Sequence, residues 1–129
     1  MRLRSLVLPR IVTAFLLVGL GGAVGSMARY GMGVALPSAG FPYATLVVNV
    51  IGCFCIGLAM PTVDRVEALP PEFRLLVVVG FLGGFTTFSA FGNETLSLLR
   101  SGGGLALVNV AANVLLGLGA VVLGRTLAS

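Results

Sequence analysis

The stretch GFLGGFTTFSAF, residues 80–91, decides how the fold of this chain is interpreted. It contains four phenylalanines, three glycines, two threonines and one serine, and it carries no charge. A helix that faces lipid has little use for two adjacent glycines followed shortly by two adjacent threonines. Within a bilayer, irregular backbone is tolerated only where protein or a polar cavity supplies partners for its N–H and C=O groups. The stretch therefore predicts a membrane-spanning helix that is interrupted at residues 83–87, and an interruption that forms the functional centre.

The composition of the 129-residue chain is that of an integral membrane protein. Hydrophobic residues make up 57% and charged residues 9% of it, whereas soluble domains carry about 25% charged residues. All eight basic residues are arginine, and they mostly flank the apolar runs. We therefore interpret them as charges that set the topology and meet lipid headgroups, rather than as a surface that binds nucleic acid.

Four apolar runs approach the ~20 residues that a helix needs to cross a bilayer. They cover residues 11–33, 43–62, 73–99 and 105–123, and short turns separate them. A basic tail, residues 1–10, precedes the first run. The sequence thus predicts one all-α, multi-pass domain over residues 1–129 in the cell membrane. Four spans put both termini on one side, which collects six of the eight arginines, so both termini are expected in the cytoplasm.

Three sets of residues at four-residue spacing predict helix faces that pack closely, because residues four apart lie on one side of a helix. Small side chains and neutral polar groups are typical of contacts between helices in membranes. The sets are Gly21, Gly25 and Arg29 in the first span, Thr45, Asn49, Cys53 and Gly57 in the second, and Asn109, Asn113 and Gly117 in the fourth.

The residues that most enzymes need are missing from the spans. The chain has no histidine, Glu94 is the only acid inside a span, and Cys53 and Cys55 point to different helix faces. We therefore expect neither catalysis nor a cluster of metal-binding side chains. Neutral polar residues remain, and such groups either join helices or line a path for a small ion. Near a broken helix the set favours a path, and its members are Thr45, Asn49, Thr86, Thr87, Ser89, Asn109 and Asn113.

Three segments of the chain resemble the fluoride channel family, known as Fluc or CrcB. They are GGAVGSMARY at residues 21–30, NVIGCF at residues 49–54 and GGFTTFSAF at residues 83–91. They occur in the family's order, within a four-span chain of the family's size. The resemblance implies an antiparallel, dual-topology dimer with two narrow pores along the subunit interface. It also implies passive export that lowers cytoplasmic fluoride and requires no ATP or proton site.

The same resemblance assigns a fluoride pathway to particular side chains. Phe88 and Phe91 match the phenylalanines that present their ring edges to fluoride. The edge of an aromatic ring is positive, so it attracts an anion without a fixed charge, and weak repeated sites suit conduction. Asn49 matches the asparagine whose amide donates to fluoride, and Ser89 and Thr45 would extend this polar track.

The resemblance also implies a structural sodium ion at the centre of the dimer. It would bind backbone carbonyls at the break, at the positions of Gly83 and Thr86 in both subunits. Arg29 matches the family's arginine at the end of the first span and is expected to anchor an interface or a vestibule. Glu94 is expected beside a pore mouth.

One departure from the family lies in the fourth span. The family commonly has a tyrosine and a serine there, four residues apart, whereas this chain has Asn109 and Asn113. This change alters part of the polar track. Together with the uneven arginine distribution, it leaves two assemblies open. A homodimer is the first choice, and a heterodimer with an oppositely oriented paralogue is the alternative.

Two functions of other classes compete with the channel interpretation. A proton-coupled exporter of cationic drugs needs a titratable carboxylate deep in the membrane, and the first span has none. A structural or assembly subunit would use its glycines only for helix packing. It would tolerate apolar replacements of the same size at Asn49 and Phe88.

Overall fold

The computed structural model describes residues 2–36, 39–65 and 70–129. Within these ranges all regular structure is helical. The segments are α1 (Arg2–Ala35), α2 (Tyr43–Arg65), α3 (Pro71–Phe73), a π-helical segment (Arg74–Leu82), α4 (Gly83–Phe85), α5 (Phe88–Arg100) and α6 (Gly104–Leu127). Four stretches are long and apolar enough to cross a membrane, namely Leu8–Ala35, Tyr43–Val63, Pro71–Arg100 and Gly104–Leu127. The prediction of four helical spans is confirmed.

The basic segment that precedes the first span is helical from Arg2 onwards, and it is continuous with that span in α1. Helix α1 continues through Pro9, which lacks an N–H and therefore removes one helical hydrogen bond. The hydroxyl of Thr13 donates to the Pro9 carbonyl at 2.9 Å, one turn further along. One missing bond near the end of a long helix is not enough to unwind the turn before it.

Helix α1 packs against the π-helical segment and α4, in the first half of the third span. A Cβ atom at Gly21 would overlap the Leu76 carbonyl oxygen, and one at Gly25 would overlap the Phe81 carbonyl oxygen. A Cβ at Gly84 would likewise meet the backbone of α1. The two backbones therefore touch, and the glycine face predicted for the first span is confirmed.

Helix α2 packs against α6 in the same manner. A Cβ at Gly57 would overlap the Val121 carbonyl oxygen, and one at Gly124 would overlap the Phe54 carbonyl oxygen. Small residues on both helices let the backbones approach, as is common in membranes. The spans thus form two tight pairs, and α5 also packs on α6.

The turn between α5 and α6 depends on two glycines. Gly102 has φ of 130° and Gly103 has φ of 78°, and both values lie where side chains are disfavoured. The N–H of Gly103 donates to the Leu98 carbonyl at 3.2 Å, which closes the end of α5. The chain reverses within these few residues, so α5 and α6 run antiparallel as neighbours.

Large apolar side chains cover the outside of the helices rather than the inside. Exposed examples include Phe15, Tyr30 and Leu107. The buried apolar residues among those described are Phe41, Val48, Leu82, Phe85 and Ala106. A continuous apolar surface of this kind suits lipid or another apolar chain rather than water.

Candidate functional site

The third span is interrupted between α4 and α5, within the stretch that the sequence singles out. Thr86 has φ −81° and ψ 160°, and Thr87 has φ −152° and ψ 119°, so both are extended. Thr87 caps the new helix, because its hydroxyl oxygen accepts the N–H of Ala90 at 3.2 Å. The predicted interruption near Gly83–Thr87 is found at Thr86 and Thr87, whereas Gly83–Phe85 are still helical.

The side chain of Asn49 supplies partners for the backbone that the break exposes. Its Oδ1 accepts the N–H of Thr87 at 2.9 Å, and its Nδ2 donates to the Thr87 carbonyl at 3.2 Å. One carboxamide thus satisfies both backbone groups of one residue. An unsatisfied backbone group in a membrane costs several kcal/mol. Asn49 therefore fixes the position of the break.

The carbonyl oxygens of Gly83 and Thr86 are among those that lose their usual helical donors at the break. The N–H of Thr87 bonds to Asn49 instead of to the carbonyl of Gly83, four residues earlier. The N–H of Ala90 bonds to the Thr87 hydroxyl instead of to the carbonyl of Thr86. The carbonyls of Gly83 and Thr86 are therefore released from the helical pattern, and they are neutral, hard oxygen atoms of the kind that hard cations prefer.

Asn49 also begins a chain of side-chain hydrogen bonds. Its Nδ2 donates to Oδ1 of Asn113 at 3.0 Å, and Nδ2 of Asn113 donates to the carbonyl and Oδ1 of Asn109, both at 3.0 Å. Nδ2 of Asn109 donates to the Thr95 hydroxyl at 2.8 Å, which donates to the Phe91 carbonyl at 2.7 Å. We call Asn49, Asn113, Asn109 and Thr95 the asparagine ladder. It joins α2, α6 and α5 beside the break.

A cavity of about 420 Å³, which we call the aromatic cavity, opens beside the break. Asn49, Thr87, Phe88, Phe91 and Asn113 line it, and every described residue in its wall is uncharged. The ring centroids of Phe88 and Phe91 lie 5.5 Å apart at an interplanar angle of 55°. Phe88 is 83% exposed, so its ring is not part of the core of this chain.

A second cavity of about 430 Å³, which we call the polar cavity, lies on the other side of the break. Arg29, Thr45 and Glu94 line it. The Thr45 hydroxyl donates to Oε1 of Glu94 at 2.8 Å, and Oε2 of Glu94 is buried without a partner among the described residues. Within the described ranges, Thr87 alone lines both cavities. The break therefore forms the partition between them.

The structure brings most of the expected site residues together at the break, but it separates some of them. Thr45 lines the polar cavity, away from the aromatic cavity of Asn49. Ser89 lines neither cavity among the described residues, and its hydroxyl oxygen lies 3.3 Å from the Thr87 hydroxyl oxygen. Sequence reasoning missed Thr95 altogether. Its signal was weak, a hydroxyl placed one helical turn after Phe91.

Comparison with known proteins identifies the chain's relatives. The pattern of the family described as "CrcB-like protein, Camphor Resistance (CrcB)" matches residues 16–125. A protein from Solibacter usitatus (strain Ellin6076), named "Fluoride-specific ion channel FluC", is 51% identical over 118 residues, which are 88% of this chain and 97% of that protein.

Proteins of the same name from two other organisms show similar identity. The one from Elusimicrobium minutum (strain Pei191) is 52% identical over 111 residues, which are 82% of this chain and 86% of that protein. One from Thermus thermophilus is 48% identical over 117 residues, which are 88% of this chain and 93% of that protein. With half of its residues shared over nearly its whole length, the chain belongs to the CrcB family.

Proposed function

We propose that this protein is the subunit of a fluoride-specific ion channel, which lets fluoride leave the cytoplasm passively across the cell membrane. The observation that carries the proposal is the aromatic cavity, where two phenylalanine rings and the Asn49 amide meet at a helix break without a charged side chain. Relatives that share about half of the sequence over nearly the whole chain carry this function in their names.

The chemistry of the aromatic cavity suits rapid passage of a small anion. The positive edges of Phe88 and Phe91 attract fluoride weakly, and an amide hydrogen adds a directed contact. A buried arginine at this place would bind fluoride and release it slowly, whereas conduction requires sites that the ion can leave. An inside-negative membrane drives an anion outwards with about 2.3 kcal/mol per charge per 100 mV.

The pore is completed by a second subunit in antiparallel orientation. Phe88 is 83% exposed, so a ring that is to meet fluoride away from lipid needs a covering surface from outside this chain. A dual-topology homodimer is the assembly that we propose. The six-to-two arginine distribution favours a fixed orientation and keeps a heterodimer with an oppositely oriented paralogue as the alternative.

A structural sodium ion would join the two breaks at the dimer centre. The released carbonyls of Gly83 and Thr86 in each subunit would hold it, because a hard cation prefers oxygen ligands. The ion would stabilise extended backbone that has left its helical pattern. The chain's own contribution is to keep these carbonyls free. The two hydrogen bonds between Asn49 and Thr87, which we call the clamp, and the Thr87 cap achieve this.

The polar cavity acts as the entrance from one side. Arg29 in its wall raises the local concentration of anions by its charge, without lying in the aromatic cavity. Thr45 holds one oxygen of Glu94, which keeps the carboxylate in the cavity wall beside the entry path. Ser89 borders the partition through its contact with Thr87.

Fluoride release from liposomes that contain only this purified chain tests the proposal. A potassium gradient with an ionophore sets the voltage, a fluoride electrode follows release, and chloride release is measured in parallel. We expect fluoride release without chloride release. The Phe88→Ile variant should lose it, while Phe15→Ile should retain it, because Phe15 is also exposed, at 76%, but lies on α1 away from the aromatic cavity.

If well-folded protein releases no fluoride, two explanations remain, and a second experiment distinguishes them. Release that is restored by co-reconstitution with an oppositely oriented family member would make this chain one half of a heterodimer. If no fluoride is released with such partners either, the channel proposal is overturned and a structural subunit is favoured.

A further inference from the structure

We propose, on the basis of the function proposed above, that Asn113 sets the fluoride affinity of this channel. Its carboxamide oxygen holds an amide hydrogen of Asn49, and fluoride reaches Asn49 from the aromatic cavity only by displacing that oxygen. The fourth span thus contributes an internal competitor for the anion site.

The amide of Asn49 has no hydrogen left for an arriving anion. A carboxamide carries two N–H donors. One of them points to the Thr87 carbonyl at 3.2 Å, and the other points to Oδ1 of Asn113 at 3.0 Å. Fluoride accepts hydrogen bonds and donates none, so it binds Asn49 only when one of these two bonds opens.

The bond to Asn113 is the one that opens. The bond to the Thr87 carbonyl belongs to the clamp that satisfies both backbone groups at the break, and its loss would leave polar backbone unpaired in a membrane. The bond to Asn113 joins two side chains, and both of these residues line the aromatic cavity. Opening it releases no backbone group.

The rest of the asparagine ladder fixes which end of Asn113 faces Asn49. Nδ2 of Asn113 donates to two oxygens of Asn109, and Asn109 is fully buried and donates onwards to Thr95. Turning the Asn113 amide over would place its oxygen against the oxygens of Asn109 and its NH₂ against that of Asn49. The ladder therefore holds an acceptor, not a donor, towards Asn49.

Fluoride displaces the Asn113 oxygen from the Asn49 amide, but it binds there with lower affinity than it would without this competitor. A hydrogen bond to an anion is roughly twice as strong as one to a neutral acceptor. The amide oxygen nevertheless has to leave, and the net strength of one neutral hydrogen bond corresponds to about a fivefold change in a binding constant. Weaker binding at Asn49 favours release of the ion, which conduction requires.

The test compares the fluoride concentration at half-maximal release in liposomes for the wild type, Asn113→Ala and Asn113→Ser. Alanine removes the competing oxygen, and serine is too short to span the same distance and can bond back to the Asn109 carbonyl. Both variants should lower the half-saturating concentration about fivefold, by the loss of one competing neutral hydrogen bond. Asn93→Ala, which removes an exposed asparagine from α5 outside the ladder, should leave it unchanged.

A second measurement uses the wild-type protein and does not depend on how the variants fold. Asparagine side chains are labelled with ¹⁵N, and fluoride is titrated into the purified channel in detergent. The side-chain amide signals of Asn49 and Asn113 should shift together with one midpoint, because the same event frees both groups. A shift of the Asn49 signal with a stationary Asn113 signal would overturn the proposal.

The outcomes separate this inference from the proposed function. If the wild type releases fluoride and both Asn113→Ala and Asn113→Ser keep the half-saturating concentration of the wild type, Asn113 is no competitor, while the channel proposal stands. If the wild type neither releases fluoride nor shows a signal shift, alone or with a partner subunit, both proposals fall.

Discussion

The carboxamide of Asn49 on α2 forms two hydrogen bonds with Thr87 in the third span, accepting from its N–H at 2.9 Å and donating to its carbonyl at 3.2 Å. A side chain on one span thus replaces the helical partners of a residue on another. The pairing explains how a membrane helix is interrupted without leaving these two backbone groups unpaired in lipid. It also makes Asn49 a structural residue as well as the candidate fluoride ligand.

The first prediction concerns the stability that this clamp provides. Asn49→Ala leaves the N–H and the carbonyl of Thr87 without their partners, and each buried unsatisfied group costs about 1–3 kcal/mol. We expect the variant to lose about 2 kcal/mol or more of folding free energy, measured by SDS-induced unfolding in mixed micelles with circular dichroism.

Asn93→Ala is the matched control for the clamp, because Asn93 is exposed on α5 and lies in neither cavity. Surface substitutions of this kind usually change stability by no more than about 0.5 kcal/mol. Equal unfolding midpoints for Asn49→Ala and Asn93→Ala would contradict a structural role for the Asn49 amide.

The second prediction concerns the contact between α1 and the third span. Gly25→Ala places a methyl group on the Phe81 carbonyl oxygen, and this overpacking should destabilise the protein by about 1–3 kcal/mol. Gly31→Ala on the same helix meets nothing within 4 Å. It should be neutral or stabilising by up to about 1 kcal/mol, because alanine favours helix. Thermal unfolding in detergent compares the two, and a Gly25→Ala protein as stable as Gly31→Ala would argue against this packing.

The outline of the fold was predictable because local pattern determines it. Hydropathy predicts the four spans, and the spacing of Gly21 and Gly25 predicts a close helix contact. The glycines and threonines of residues 80–91 predict the break. The partner of Asn49 was not predictable in this way. Thr87 lies 38 residues further along, and only the packing of α2 beside the third span brings them together. The same holds for Thr95, which bonds to Asn109 across two helices.

Two further features had no usable local signal. The π-helical segment Arg74–Leu82 is built of ordinary apolar residues and one arginine, and nothing in their order distinguishes it from an α-helix. The helical start at Arg2 was obscured by Arg2, Arg4 and Arg10, because these charges set the segment apart from the apolar run that follows. In both cases the competing local structures differ little in sequence preference.

The third prediction concerns the buried end of the asparagine ladder. Asn109 is 0% exposed, and its Nδ2 donates to the Thr95 hydroxyl at 2.8 Å. A double-mutant cycle of Asn109→Ala and Thr95→Val isolates this bond. We expect a coupling free energy of about 1 kcal/mol, which is typical of hydrogen bonds between membrane helices. Additive effects of the two substitutions on unfolding in mixed micelles would show that the bond contributes nothing.

The last prediction concerns the proposed sodium ion. A ligand that binds only the folded state raises the melting temperature as its concentration rises above its dissociation constant. Replacing sodium by N-methylglucamine at constant ionic strength should therefore lower the melting temperature of the purified channel. Thr86→Val should keep this response, because the proposed ligand is the backbone carbonyl, while the Thr86 hydroxyl is directed back to its own helix, where it donates to the Leu82 carbonyl at 2.9 Å. Identical melting curves in the two salts would show that no sodium ion stabilises the fold. A sodium dependence of the melting temperature that is present in the wild type but lost in Thr86→Val would make the hydroxyl the ligand.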